Sequence, residues 1–482
     1  MSPVRSILLS GALCTLLTGC MVGPKYTKPS VPTAPTFKEA SAYKEDAGWH
    51  TAQPQDVLPK GEWWLVFQDP GLNQLEPQVL ASNQTVRIAD ATLQRARAQI
   101  RVNRSLLFPT VGVAPFVGGE RTSANRPYFN SASANNGLAD LQLPFDLNWE
   151  IDLFGRVRHS VTAAREETQA SAADLQNALL SLQAELAVDY FELRAADAER
   201  KLLNDTVQQY QEAYRVTTNR FEGGVAPKSD VSQAQTQLQA AKVQAADVEI
   251  RRSQYEHAIA VLIGKAPAEL TLPVAPLQAQ PPVIPPGLPS ELLERRPDIA
   301  AAERRTAVAN EQIGIARAAF FPSLTLSGVA GFEGTSALNI LNSSSFLYAV
   351  GPTLSQTLFD AGRRRAISEQ TYAAYSATTA AYRQTTLVAY QQVEDNLAAL
   401  RILSDEAEQQ RQATAAAQEA QQIFNNRYVG GVDTYLQVIT AQTAALNNER
   451  NDIDIMRRRM DASVLLVKAL GGGWNVSSLP RY

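Results

Sequence analysis

Asp140, Asp146, Glu150 and Asp152 lie within thirteen positions of one another. Carboxylates this close could act as a general acid and base or ligate a metal ion. The residues between them argue for something else. Leu141, Leu143, Phe145, Leu147, Trp149, Ile151 and Leu153 alternate strictly with Gln142, Pro144, Asp146, Asn148, Glu150 and Asp152. Period two over such a length marks a strand, longer than most globular strands and matched to a tilted membrane strand. If the odd face meets lipid, the even face meets water, so the acids are expected to line a solvated lumen. His50, His159 and His257 fall in no metal-ligand spacing. Histidines isolated on long polar helices are expected at the surface. No nucleophile elbow or phosphate loop occurs, so no catalytic residue and no metal site are expected.

The two cysteines point to a different chemistry. Arg5 and the apolar stretch from Ile7 to Leu17 form a short signal segment that ends in Leu17-Thr18-Gly19-Cys20. This resembles a bacterial lipobox: residues 1–19 would be removed and Cys20 would carry a covalent lipid. Cys14 lies inside the removed part, so the mature chain would hold no thiol for a disulfide. An acyl group anchors without spanning. Met21 stands where Asp would signal inner-membrane retention. Beyond that lipid, no cofactor is expected.

The elements that must hold these residues are duplicated. Arg220-Phe221-Glu222-Gly223-Gly224-Val225 and Arg427-Tyr428-Val429-Gly430-Gly431-Val432 lie 207 positions apart, and the same offset places Ile263-Gly264 on Leu470-Gly471. Residues 20–82 form an N-terminal periplasmic or anchor segment. The first repeat (83–272) reads as a helix, a strand pair at 109–153, a long helix at 156–221 and a helix at 227–264. A Pro-rich linker (273–296) separates it from the second (297–471), with a strand pair at 322–359 and helices at 363–428 and 433–470; a tail (472–482) follows. Pro109 and Pro322 stop the first helix of each repeat. Leu175, Leu179, Leu182, Leu186, Tyr190 and Leu193 keep coiled-coil spacing. A long helix of roughly 66 residues spans about 99 Å, and the two shorter helices of a repeat together span about 95 Å. Stacked end to end, they would run beside the long one.

Composition agrees with extended helices: 45% of residues are apolar, but only 7% are aromatic. A net charge of −4 gives no support to nucleic-acid binding. No run of about 18 apolar residues follows the N-terminus, which excludes helical spans. Four strands cannot close a wide barrel, and an open edge is not viable in lipid, so oligomerisation is expected. The fold class is mainly α with a transmembrane β-barrel part.

The lipobox, the duplicated plan, Leu358-Phe359-Asp360 leading to Gly362-Arg363, Arg295-Arg296-Pro297-Asp298 and the two tip motifs together resemble the TolC-like outer-membrane factors. The lipoprotein branch, the NodT/OprM-like efflux channels, is the nearest in pattern; residues 20–26 and Trp63-Trp64 fit it too. The resemblance implies a homotrimer with a 12-stranded β-barrel and a 12-helix periplasmic α-barrel. It also implies a periplasmic adaptor, an inner-membrane efflux pump of the RND type and outer-membrane lipid as partners. The channel itself would be passive. The adaptor-docking tips would be Gly223, Gly224, Val225, Gly430, Gly431 and Val432. The periplasmic aperture would use Ser229, Asp230, Tyr428 and Asp433; where the archetype has two aspartates this chain has Gln437 and Thr440, and Asp433 replaces its arginine. Asp433 could equally N-cap the last helix. Two rival classes are a lipid-anchored periplasmic coiled-coil or adaptor protein, and a periplasmic enzyme using Asp146 and Glu150.

Overall fold

The computed structural model describes residues 21–39, 61–121, 123, 125, 137–277, 280–284 and 291–481. Cys20, His50, most of the loop before Leu138 and part of the linker lie outside them. In chain order, a 3-10 turn (Trp63–Phe67) and α1 (Pro70–Ser82) precede α2 (Gln84–Ser105). Strands β1 (Thr110–Val113), β2 (Phe116–Glu120) and β3 (Leu138–Ile151) follow, then α3 (Arg156–Glu222) and α4 (Lys228–Leu262). The second repeat supplies α5 (Pro297–Ala318), β4 (Ser323–Gly334), β5 (Phe346–Ser355), α6 (Arg363–Val429) and α7 (Tyr435–Ala469).

α3 and α6 each run 67 residues, about 100 Å. α4 and α2, with 35 and 22 residues, lie beside α3, and α7 and α5 repeat those lengths. The shorter helices meet head to tail. A helix leaves its last carbonyls without intrahelical partners, and its first amides likewise. Asn83 serves both ends at one joint: its carboxamide oxygen accepts from Thr85 N (2.8 Å) and Val86 N (3.2 Å), and its amide donates to Leu262 O (2.8 Å). At the other joint Arg296 donates to Ala469 O (3.0 Å) while pairing with Asp298 (2.6 Å). Glycine is required at both. Gly264 and Gly471 have φ of 71° and 93°, and a Cβ there would stand 2.4 Å from Ser82 O and 2.0 Å from Arg295 O. The paired Gly264 and Gly471 of the sequence are therefore close-approach points as well as helix ends.

The core gathers around these joints, where Trp63, Phe67 and Leu72 bury against Leu186, Phe191 and Leu193 of α3. α1 is absent from the sequence expectation, although Asp69 caps it (2.8 Å to Gly71 N) and Pro70 occupies its first turn. The start of the linker is strapped to the helices. Fully buried Asp197 accepts from Arg194 (3.0 Å), Arg252 (2.7 Å) and Ala275 N (3.0 Å), and the two arginines hold Pro273 O and Leu272 O.

Replacing Asn83 with Ala removes a cap and orphans a buried carbonyl, which should cost about 1–3 kcal/mol. Thermal unfolding of the purified protein should show it, with Asn83→Ser, which retains the cap alone, falling between. Equal melting temperatures for all three proteins would mean that the joint is held by other contacts.

Candidate transport channel

The sheet runs β1-β3-β4-β5, with β2 also on β3. β1 and β2 together trace one strand line, broken at Ala114-Pro115 because proline has no amide to pair. Directly opposed residues of antiparallel strands share a face. One face carries Val111, Leu147 and Val350 across Gly328, then Val113, Phe145, Ala330 and Tyr348, then Leu143, Phe332 and Phe346. The other carries Thr110, Asn148 and Ser327, then Glu150, Thr325 and Thr353, then Gln142 and Glu333. The apolar face is open: Val111 is 68% exposed, Tyr348 74% and Val350 69%. At the foot of the sheet Phe108, Phe320, Phe321 and Phe359 are also exposed, an aromatic girdle of the kind found where a barrel meets the membrane interface.

Three of the four acids are tied to neighbouring side chains or amides. Glu150 is doubly bonded by Arg156 (2.8 and 2.5 Å), and Asp152 accepts from Arg158 N (2.9 Å) at the start of α3. Asp360 does the same for α6, accepting from Arg364 N (3.2 Å) and Nε (2.6 Å). Both helices begin after a glycine at positive φ, Gly155 at 84° and Gly362 at 87°, which turns the chain from strand to helix. Asp140 accepts from Gln142 (2.8 Å), on the polar face. Among the described residues no cluster of His, Cys, Asp and Glu is arranged to hold a metal ion.

An extended N-terminal arm starts at this junction. Val22 N donates to Phe154 O (3.2 Å), Asn310 donates to Pro24 O (3.0 Å), and Arg383 donates to Ser30 O (3.1 Å). Further along, Glu394 accepts from Lys38 N and Glu39 N (2.7 and 2.9 Å). His159 corrects the sequence expectation of a surface histidine. It is buried, with Nδ1 2.5 Å from Glu311 and Nε2 3.1 Å from Val22 O, so it ties the arm to α3 and α5. His257 is exposed, as expected.

At the far end, each long helix closes in a Schellman turn. Val225 N reaches Arg220 O and Gly224 N reaches Phe221 O, both 2.9 Å; Val432 N and Gly431 N repeat this to Arg427 O and Tyr428 O (2.9 and 3.0 Å). Only the second glycine of each pair needs the left-handed region, Gly224 at 74° and Gly431 at 76°, whereas Gly223 and Gly430 are right-handed caps. Val225 and Val432 are exposed. Tyr428 donates to Asp230 (3.4 Å) across the two hairpins, and its ring lies 5.2 Å from that of Tyr435. Burial and the neighbouring Asp230 raise the Tyr428 hydroxyl. Ser229 precedes Asp230 in the first turn of α4. Asp433 is not the N-cap of α7: that position is Thr434, without a side-chain cap bond. Instead Asp433 is gripped by Arg427 (2.5 and 3.1 Å), which holds its carboxyl below the usual range. A bidentate guanidinium outweighs a single capping amide.

Between the hairpins, higher up, α3 and α7 share an acidic cluster. Arg457 of α7 bonds Glu192 of α3 and Asp461 (3.2 Å), with Asp454 beside it. Burial, then the charge of Glu192, pushes Asp461 up to about 7, with Arg457 opposing. The folded chain thus binds a proton there that the unfolded chain has released. Stability from this group is complete below the ordinary aspartate value near 4 and declines as pH rises to about 7. Asp461→Asn should raise the melting temperature at pH 8 and leave it unchanged at pH 4. A parallel offset at both pH values would contradict the shifted carboxyl.

The same architecture occurs in known proteins. Residues 75–265 and 288–472 match the family model "Outer membrane efflux protein". The antibiotic efflux pump outer membrane protein ArpC of Pseudomonas putida is 32% identical over 475 residues, 98% of this chain and 96% of its own. The toluene efflux pump outer membrane protein TtgC of Pseudomonas putida matches with the same identity and coverage. The solved outer-membrane channel OprN is 30% identical with a TM-score of 0.86, covering 94% of this chain and 100% of its own. These are outer-membrane pump components and a channel rather than enzymes, and they displace the reading as an adaptor-like coiled coil. The chain belongs to the outer membrane efflux protein family: it is an outer-membrane exit channel of an efflux system, with a β-barrel part in the membrane and a helical part extending into the periplasm.

Proposed function

We propose that three copies close into one twelve-stranded barrel, continued by twelve helical rods, and conduct toxic small molecules passively to the exterior. The carrying observation is a sheet of four strand lines with one exposed apolar face and two outer edges. Among the described residues β1 and β2 pair only with β3, and β5 pairs only with β4. Backbone groups in hydrocarbon must be satisfied, so those edges need another copy. A periplasmic adaptor would dock on Gly223, Gly224, Val225, Gly430, Gly431 and Val432, where small residues let another backbone approach. An inner-membrane pump of the RND type would supply the energy. ArpC and TtgC are named for antibiotic and toluene efflux, which supports drugs and apolar toxicants as the cargo class.

The hairpin tips would form the aperture, with Tyr428 and Asp230 as its cross-hairpin contact and Ser229 beside them. Asp433, engaged with Arg427, would stiffen its own turn. Cys20 would carry the lipid. Its neighbours Met21 and Val22 are fixed beside Phe154 and Gly155, at the foot of the sheet, within reach of the inner leaflet.

Arginine at Leu147, on the apolar face, should cost about 2–4 kcal/mol near the membrane midplane and deplete assembled protein. Arginine at Asn148, one residue on, should be tolerated as a lumen change. Outer-membrane fractions compared by unheated gel electrophoresis give the readout. Equal depletion in both variants would overturn the assignment of faces.

A further inference from the structure

The duplicated arginines of the two tips have diverged. Arg427 pairs with Asp433 across its own turn (2.5 Å). The 207-residue offset places Ala226 where Asp433 stands, so the first tip lacks the acid that holds Arg427 in the second. Arg220 turns to the other hairpin instead. Its guanidinium lies 5.0 Å from the centre of the Tyr428 ring, and Nη1 donates to Val429 O (3.2 Å). That carbonyl belongs to the last turn of α6, which lacks helical partners and carries the negative end of the helix dipole. Tyr428 is thereby held at two places by the first hairpin: its ring face by Arg220 and its hydroxyl by Asp230 (3.4 Å).

We infer that Arg220 is a positioning residue of the tip aperture, a cation that holds Tyr428 and the end of α6 against the first hairpin. This rests on the reading of the tips as the aperture. Ala at position 226, where the second tip has Asp433, leaves Arg220 available for this contact. A cation over an aromatic face and a charged donor to a helix-end carbonyl both act without a carboxylate partner. The aperture contact therefore combines a charge from α3, an acid from α4 and a tyrosine from α6.

Planar-bilayer recordings of the purified channel test this. Arg220→Ala should raise the fraction of time in the high-conductance state roughly twofold to thirtyfold, the range carried by one cation–π contact. Ala226→Asp should do the same with every contact residue intact, because the new carboxylate recaptures Arg220 as Asp433 holds Arg427. In a Tyr428→Ala background, Arg220→Ala should add nothing further. An increase with Tyr428→Ala but none with Arg220→Ala or Ala226→Asp would overturn the role of Arg220 and leave the aperture reading standing. Silence of Tyr428→Ala itself would overturn both. Unheated electrophoresis that shows intact assemblies for each variant excludes misfolding as the cause of any change.

Discussion

A strand edge cannot lie open in hydrocarbon, where no water replaces a missing backbone partner. Most of this molecule follows from that constraint. Among the described residues, the sheet of one chain has an apolar face, a polar face and two unpaired edges, so it is complete only as part of a closed ring. Closure also fixes where each surface points: Val350, Tyr348 and Phe145 outward to lipid, Glu150, Asn148 and Thr325 inward to water. The aromatic girdle at Phe108, Phe320 and Phe359 then marks the membrane's periplasmic margin.

Each strand line must hand over to helix at that margin, and the helices must pack with matched lengths to extend the tube. Gly155 and Gly362 make the turn, and Asp152 and Asp360 satisfy the amides that begin α3 and α6. Two short helices in line do the work of a second long one only if their facing termini satisfy each other. Asn83 and Arg296 do this by side-chain bonds to Leu262 O and Ala469 O. Much of the core, the N-terminal segment and the linker are gathered near these joints, where packing offsets the interruption of the helix. Far from them, at the tips, the apolar cluster shrinks to Ala234, Tyr428, Tyr435 and Val438, bordered by polar and charged contacts. That gradient suits a tube rigid in its middle and able to move at its end.

Much of this was legible in the residues because it depends on local periodicity. Strict alternation at 141–151 and the three-four spacing of Leu186, Tyr190 and Leu193 set strand and helix faces without reference to the partner. The repeated glycines at 264 and 471 marked the joints, though not the close approach that demands glycine. What escaped depended on partners distant in sequence. His159 looks like a surface residue until Glu311 and Val22, 152 and 137 positions away, enclose it. Of the two roles open to Asp433, the N-cap follows from its type and place, but Thr434 holds that position and Arg427 offers Asp433 two charged donors. Arg220 was visible in the tip motif, and Ala226 against Asp433 was the available sign that its role differs from that of Arg427.

Closure of the sheet by copies of the same chain is the claim on which lumen, faces and aperture all depend. Native mass spectrometry of the full-length protein, released from detergent micelles, measures it directly. A species of three chains that resists dilution is the expected result. A monomer as the only species, under detergent conditions that preserve the sheet by circular dichroism, would contradict the closed barrel.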